Sequence, residues 1–143
     1  MSKSISTVTT VPAGKATTKV QGKTIAYWSV TALLAGALTL SGLGQLMKLG
    51  GNVDLVANLG YPLYIMQILG VWKLLGVIAI LTPRFPRLKE WTHAGIFFLM
   101  TGAAASHLLD QDYGSGGFNV ILPLFYAALN VASWALRPES RKL

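Results

Sequence analysis

The sequence predicts an all-α fold, an integral membrane antiparallel four-helix bundle. Three observations lead there: four long apolar blocks, basic residues confined to one side of them, and aromatic residues at their edges. Of the 143 residues, 52% are hydrophobic and 12% are charged, against about 25% charged in an ordinary soluble domain. That length has room for one domain. The apolar blocks cover residues 25–47, 64–82, 91–109 and 120–136. Each falls within the ~17–25 residues that cross a bilayer as a helix. Soluble core helices are usually shorter and carry a polar stripe.

The first block follows a stretch, residues 1–24, rich in Ser, Thr and Lys with no apolar run, and it reads as a disordered tail. The block itself is too long and starts too late for a cleavable signal peptide. Ahead of the second block, Pro62 suits a first helical turn, where a missing N–H matters little. The intervening loop holds Gly50, Gly51 and Asn52, then an apolar stretch, 53–59, with the length of a short interfacial helix. Pro83 and Pro86 close the second block and make a stiff basic turn into the third. The third block contains Gly102 and Ser106, a small-xxx-small pair of the kind that packs helices inside a bundle. Gly114, Gly116 and Gly117 make the next loop flexible, and Pro138 stops the fourth block. The domain therefore spans residues 25–137, with 138–143 as a C-terminal tail.

The net charge of +7 is distributed by side. Lys3, Lys15, Lys19 and Lys23 precede the first block, Arg84, Arg87 and Lys89 separate the second from the third, and Arg137, Arg141 and Lys142 follow the fourth. The opposite side has Lys48 with Asp54, Asp110 and Asp112. Positive loops stay cytoplasmic, so both termini are expected inside, in agreement with an even number of spans. The same placement makes the basic excess a determinant of topology and argues against a nucleic-acid partner. Tyr27, Trp28, Trp91 and Trp134 fall at the expected inner interface, and Tyr61, Tyr64 and Tyr113 at the outer one, as in aromatic belts. No cysteine is present, which excludes disulfides, thiol nucleophiles and thiolate metal sites in this chain.

Lys73 lies at the middle of the second block. A central lysine costs roughly 2.5–3.5 kcal/mol on insertion scales, and the surrounding Leu, Ile and Val return about 0.3–0.6 kcal/mol each. The span inserts despite the charge. Intramembrane charges usually face a cavity or a partner, although a long lysine can also snorkel to the surface. Helical side chains lean toward the helix N-terminus, which sends the ammonium group toward the outer half. Ser41, Gln45, Tyr64, Gln67, Ser106, His107 and Asp110 lie in that half, with Asn119, Tyr126 and a deeper Asn130 from the last span. Helical spacing puts Ser41 and Gln45 on one face, His107 and Asp110 on another, and Tyr126 and Asn130 on a third. The sharpest expectation is an outward-opening polar pocket with Lys73, His107 and Asp110 as its reactive groups. Ser41, Gln45, Gln67, Ser106, Tyr126 and Asn130 are its candidate ligand-binding residues. The plainer alternative makes Asp110 a headgroup residue and His107 a packing residue. A metal centre is poorly supplied, since His107 and Asp110 give two ligands where catalytic zinc usually has three.

Several stretches resemble the DoxX-like family of small bacterial four-helix membrane proteins: Tyr61-Pro62-Leu63-Tyr64, Ile68 through Gly76, Pro83 through Trp91, and Gly102 through His107. The resemblance covers about residues 31–137. It implies a bacterial inner-membrane protein and carries Lys73 and His107 over as site residues. The family name comes from a subunit linked to thiosulfate:quinone oxidoreduction, so the resemblance implies a quinone as the cofactor or ligand to consider. The missing cysteine counts against direct sulfur relay here. Three function classes follow: a redox-linked binder of a quinone, lipid or other hydrophobic small molecule, a non-catalytic subunit or assembly factor for a protein partner, and a carrier. The carrier ranks last, because neither repeated halves nor broken helices are evident.

Overall fold

A computed structural model describes residues 13–143 of the chain. It is all-α, with five helices: α1 (Ala13–Leu46), α2 (Asn52–Asn58), α3 (Tyr64–Leu81), α4 (Pro86–Leu109) and α5 (Phe118–Leu136). Single turns of 3₁₀ helix lie at Ser115–Gly117 and Glu139–Arg141. The four longer helices pack in a ring, α1 against α3 and α5, and α4 against α5 and α3. Three of them are long and apolar enough to cross a membrane: α1 from Thr17, α3, and α5 with the turn before it. α4 matches the third expected block in position, but its two histidines and its run of glycine and alanine dilute its apolar character.

The N-terminal stretch departs from expectation. Residues 13–24 are helical and continue α1 without a break; residues 1–12 lie outside the described residues. Thr18 and Thr24 donate their hydroxyls to the carbonyls of Gly14 and Val20. A polar exposed segment is thereby carried as helix by the apolar segment that follows it, since propagation adds one backbone bond per residue once the helix is nucleated.

Burial is inverted relative to a soluble protein. Leu34, Leu38, Ile80, Ile96 and Met100 form a central apolar cluster. Around it Thr31, Lys73, Lys89, His93, His107, Asn130, Ser133 and Arg137 are also buried. Large apolar side chains face outward along all four helices, among them Leu40, Trp72, Ile78, Phe98 and Ile121. An exposed apolar surface this continuous marks contact with a nonaqueous medium or a partner. Thr31 and Ser133 share a hydrogen bond of 2.7 Å in the centre, tying α1 to α5.

α1 and α3 cross with their backbones nearly in contact. A Cβ on Gly70 would lie 2.8 Å from the Gly42 carbonyl oxygen, and one on Gly42 would lie 3.1 Å from that of Gly70. Gly102 plays no such part. It is exposed with open space where a Cβ would stand, and Ser106 faces Tyr61 rather than a neighbouring long helix. The close crossing therefore lies on α1 and α3 rather than on the small-residue run of α4.

Between α3 and α4, Arg84 and Phe85 both adopt left-handed backbone, with φ of 66° and 51°. The second then leads into Pro86 at the start of α4. Proline at that position is preorganised for a helix and loses no hydrogen bond. Lys89, one turn into α4, caps the end of α3 by donating to the carbonyls of Ala79 (3.0 Å) and Thr82.

Gly70→Ala is expected to lower stability by about 1–3 kcal/mol, the usual effect of overpacking a close contact. Gly102→Ala is expected to leave stability unchanged, or to raise it by up to about 1 kcal/mol through helix propensity. Thermal unfolding of the two variants in the same detergent checks the contrast.

Candidate functional site

The end of the bundle where α1 stops and α3 begins holds a cavity of about 200 Å³. Every helix contributes: Ser41 and Gln45 from α1, Leu55 from α2, Lys73 from α3, His107 from α4, and Asn119 and Tyr126 from α5. The Gly42–Gly70 crossing brings Lys73, one turn from Gly70, beside Ser41, one residue from Gly42, and Lys73 Nζ donates to Ser41 Oγ at 2.8 Å. An ammonium group has three donors, so this bond leaves two for a ligand. Gln45 Oε1 is buried and has no partner within the protein. Pro123, inside α5, also lines the cavity. Proline has no N–H, so the Asn119 carbonyl lacks its usual helical donor beside the same space.

His107 acquires its carboxylate from the loop. α4 ends at Leu109 and Gln111 takes a left-handed φ of 57°. The chain turns back on itself, and Asp112 N–H donates to the His107 carbonyl at 3.0 Å. This places Asp112 Oδ2 3.2 Å from His107 Nδ1. Its other oxygen accepts from Asn119 Nδ2 at 3.1 Å. A carboxylate only accepts, so Nδ1–H is the donor and Nε2 is the nitrogen left for a ligand. An imidazole oriented by a carboxylate is the usual arrangement for moving a proton, and here it shares a cavity with an ammonium group.

Of the residues expected to form this site, Lys73, His107, Ser41, Gln45 and Tyr126 line the cavity. Four others do not. Asp110 caps the end of α4 and is exposed, because the helix stops before the i+3 position can face inward. Gln67 is exposed on α3. Ser106 donates to the Gly102 carbonyl at 3.0 Å and is 3.0 Å from the Tyr61 hydroxyl, on an outer face. Asn130 lies deeper and pairs with His93. Asp112 and Asn119 take the places that spacing alone assigned to Asp110 and Asn130.

The opposite end is also polar inside. Glu90 accepts from Arg137 and, at 2.7 Å, from the Trp134 indole. Arg141 stacks on Trp28 with 4.7 Å to the ring centroid and donates to the Ile80 carbonyl at 3.2 Å. Lys89 and Arg137, basic residues that topology alone would leave solvated, are among the most buried in the chain, at 1% and 3% exposed. Lys89 caps α3 and Arg137 binds Glu90, partners of the kind a buried cation requires, while Arg137 Nη1 is left without one.

The family model described as the DoxX-like family matches residues 29–133 of this chain. That stretch contains every residue of the cavity. Comparison with curated proteins and with solved structures gives no match.

Asp112→Ala leaves His107 Nδ1 and Asn119 Nδ2 unpaired and is expected to cost about 1 kcal/mol, the discount reflecting a carboxylate that is partly exposed. Asp110→Ala is expected to stay within about 0.5 kcal/mol of the parent, as for an ordinary surface substitution. Unfolding midpoints, together with the His107 ring nitrogen signals by NMR, separate the two aspartates.

Proposed function

The chain belongs to the DoxX-like family, and from that premise we propose that it is an integral membrane, antiparallel four-helix bundle that binds a hydrophobic small molecule. The ligand is a quinone, a lipid or a related amphiphile of a redox-linked system, held by its polar head between Lys73 and His107. The observation that carries this reading is the cavity itself: an ammonium group with donors to spare, an unpartnered Gln45 oxygen and a carboxylate-oriented imidazole converge in one space. Lys73 hydrogen-bonds a carbonyl or an anionic head, and the His107–Asp112 pair takes or returns a proton. A volume of about 200 Å³ is below the ~300–1,000 Å³ of drug-sized sites, so it accommodates a head group whose chain leaves between helices. A purely structural role for Lys73, as in a non-catalytic subunit, would be favoured by an ion pair with Asp110. Lys73 instead meets Ser41, and Asp110 stands outside.

The membrane reading rests on the apolar outer faces of the long helices and on the polar interior. α4 crosses as the third of the four spans, its histidines turned inward and its Phe97 and Phe98 outward. In this orientation the Lys73 cavity lies in the outer half of a bacterial inner membrane. The end carrying Arg84, Arg87 and Lys142 is cytoplasmic.

Mass spectrometry of molecules released from gently purified protein is expected to find one hydrophobic species enriched over bulk lipid. Lys73→Met and His107→Gln are each expected to reduce its retention about tenfold, the loss of one charge-assisted hydrogen bond. Undiminished retention in Lys73→Met would overturn the assignment. For the topology, cysteines placed at Gly51 and Gly114 are expected to label from outside intact cells and one at Leu143 only after permeabilisation. External labelling at Leu143 would refute it.

A further inference from the structure

A second cavity, of about 340 Å³, opens between α4 and α5 toward the other end of the bundle. Ala94, Phe97, Phe98, Val131 and Trp134 form its walls, and Glu90, His93 and Asn130 supply its polar atoms. Nearly all of those atoms are already engaged. Both carboxylate oxygens of Glu90 accept, from Arg137 and from the Trp134 indole. Asn130 Nδ2 donates to the His93 carbonyl at 2.8 Å, and Asn130 Oδ1 lies 2.8 Å from His93 Nδ1. Among the described residues that line the cavity, His93 Nε2 is the buried polar atom left without a partner.

The hydrogen bonds determine what that atom can do. A carbonyl oxygen only accepts, so the bond to the His93 carbonyl requires the NH₂ of Asn130 on that side and its oxygen toward the ring. The oxygen in turn requires a hydrogen on Nδ1. Charge buried without a partner is costly, and the ring, 3% exposed, is neutral. Nε2 is then a lone-pair acceptor. It asks for a donor, and the groove that its residue lines has aromatic and aliphatic walls.

We propose that this groove binds a lipophilic phenol, whose hydroxyl donates to His93 Nε2 while its ring packs against Phe97, Phe98 and Trp134. Anions without a hydrogen to donate are disfavoured, because they bring further lone pairs to an atom that is itself an acceptor. Ketones and esters lack the donor altogether. The groove thus selects by the opposite chemistry from the Lys73 cavity, whose ammonium group is a donor, and it is independent of that site. A cavity of this volume falls within the range that holds a ring and part of a chain.

The test titrates purified full-length protein in detergent with 4-octylphenol, octylbenzene and 1-decanol. The phenol is expected to bind about tenfold more tightly than octylbenzene, the difference one hydrogen bond makes, and to shift the His93 ring nitrogen signals. Val131→Trp, which fills the groove from an exposed position without touching the His93–Asn130 bonds, is expected to abolish binding of the phenol. His93→Phe is expected to bring phenol and octylbenzene to equal affinity. Equal affinities in the parent, unmoved His93 signals, or phenol binding that survives Val131→Trp would each overturn the proposal. Decanol binding as tightly as the phenol would overturn the choice of an aromatic ligand. Should His93→Phe fail to fold, Val131→Trp and the comparison of ligands decide it.

Discussion

The contact between the backbones of Gly42 and Gly70 governs the geometry of the whole outer cavity. With no Cβ on either residue, α1 and α3 approach until carbonyl oxygens meet α-carbons. Close approach of this kind is how helices associate where water supplies no hydrophobic force between them. It sets the register of Ser41 against Lys73, because each is adjacent to, or one turn from, the crossing. A bulkier residue at either point would separate the helices, and the lysine would lose the hydroxyl that positions it. The site is consequently built by shape first and by charge second.

The rest of the interior follows from a single rule about polar groups in an apolar medium: each needs a partner, and those that lack one define where something else belongs. At the end near the chain terminus the rule is nearly satisfied. Lys89 and Arg141 occupy the free carbonyls at the end of α3, and Arg137 neutralises Glu90. Those carbonyls carry the negative pole of the α3 dipole, so the cations gain from its field as well. Between α1 and α5, Thr31 and Ser133 satisfy each other. Among the described residues the exceptions are Gln45 Oε1 and His93 Nε2, whose residues each line one of the two cavities, and Tyr27 OH and Arg137 Nη1, whose residues line neither. Two of the four incompletely paired groups thus belong to residues that line a space able to complete them.

Much of this architecture is written plainly in the sequence, because helix length and apolar content are local properties. The expected second block and α3 differ by one residue at the C-terminal end, and the expected third block shares the end of α4. Lys73, Ser41 and Gln45 could be grouped because helical periodicity fixes faces within each element. Asp112 escaped that logic. The i+3 rule that favoured Asp110 assumes a helix continuing past Leu109, whereas the chain reverses at a left-handed Gln111 and folds Asp112 beneath the imidazole. The His93–Asn130 pair was hidden for a different reason. Asn130 could be grouped with Tyr126 by spacing, but the register between α4 and α5 that brings it to His93 is set by packing and has no signature in either segment. Lys89 and Arg137 reveal the limit of charge counting, which assigns a side of the membrane without saying whether the charge is solvated.

The length of α1 has a mechanical consequence. Its 34 residues make a rod of roughly 50 Å at the helical rise, while the hydrocarbon layer is only about 30 Å thick. In the proposed bilayer orientation, with α1 held at the Gly42 crossing near its C-terminal end, the surplus projects on the side of the N-terminus. Lys19 and Lys23 lie one turn apart on this surplus length. In that orientation the helix from Ala13 onward is a stiff stalk that extends beyond the hydrocarbon layer as a lever arm.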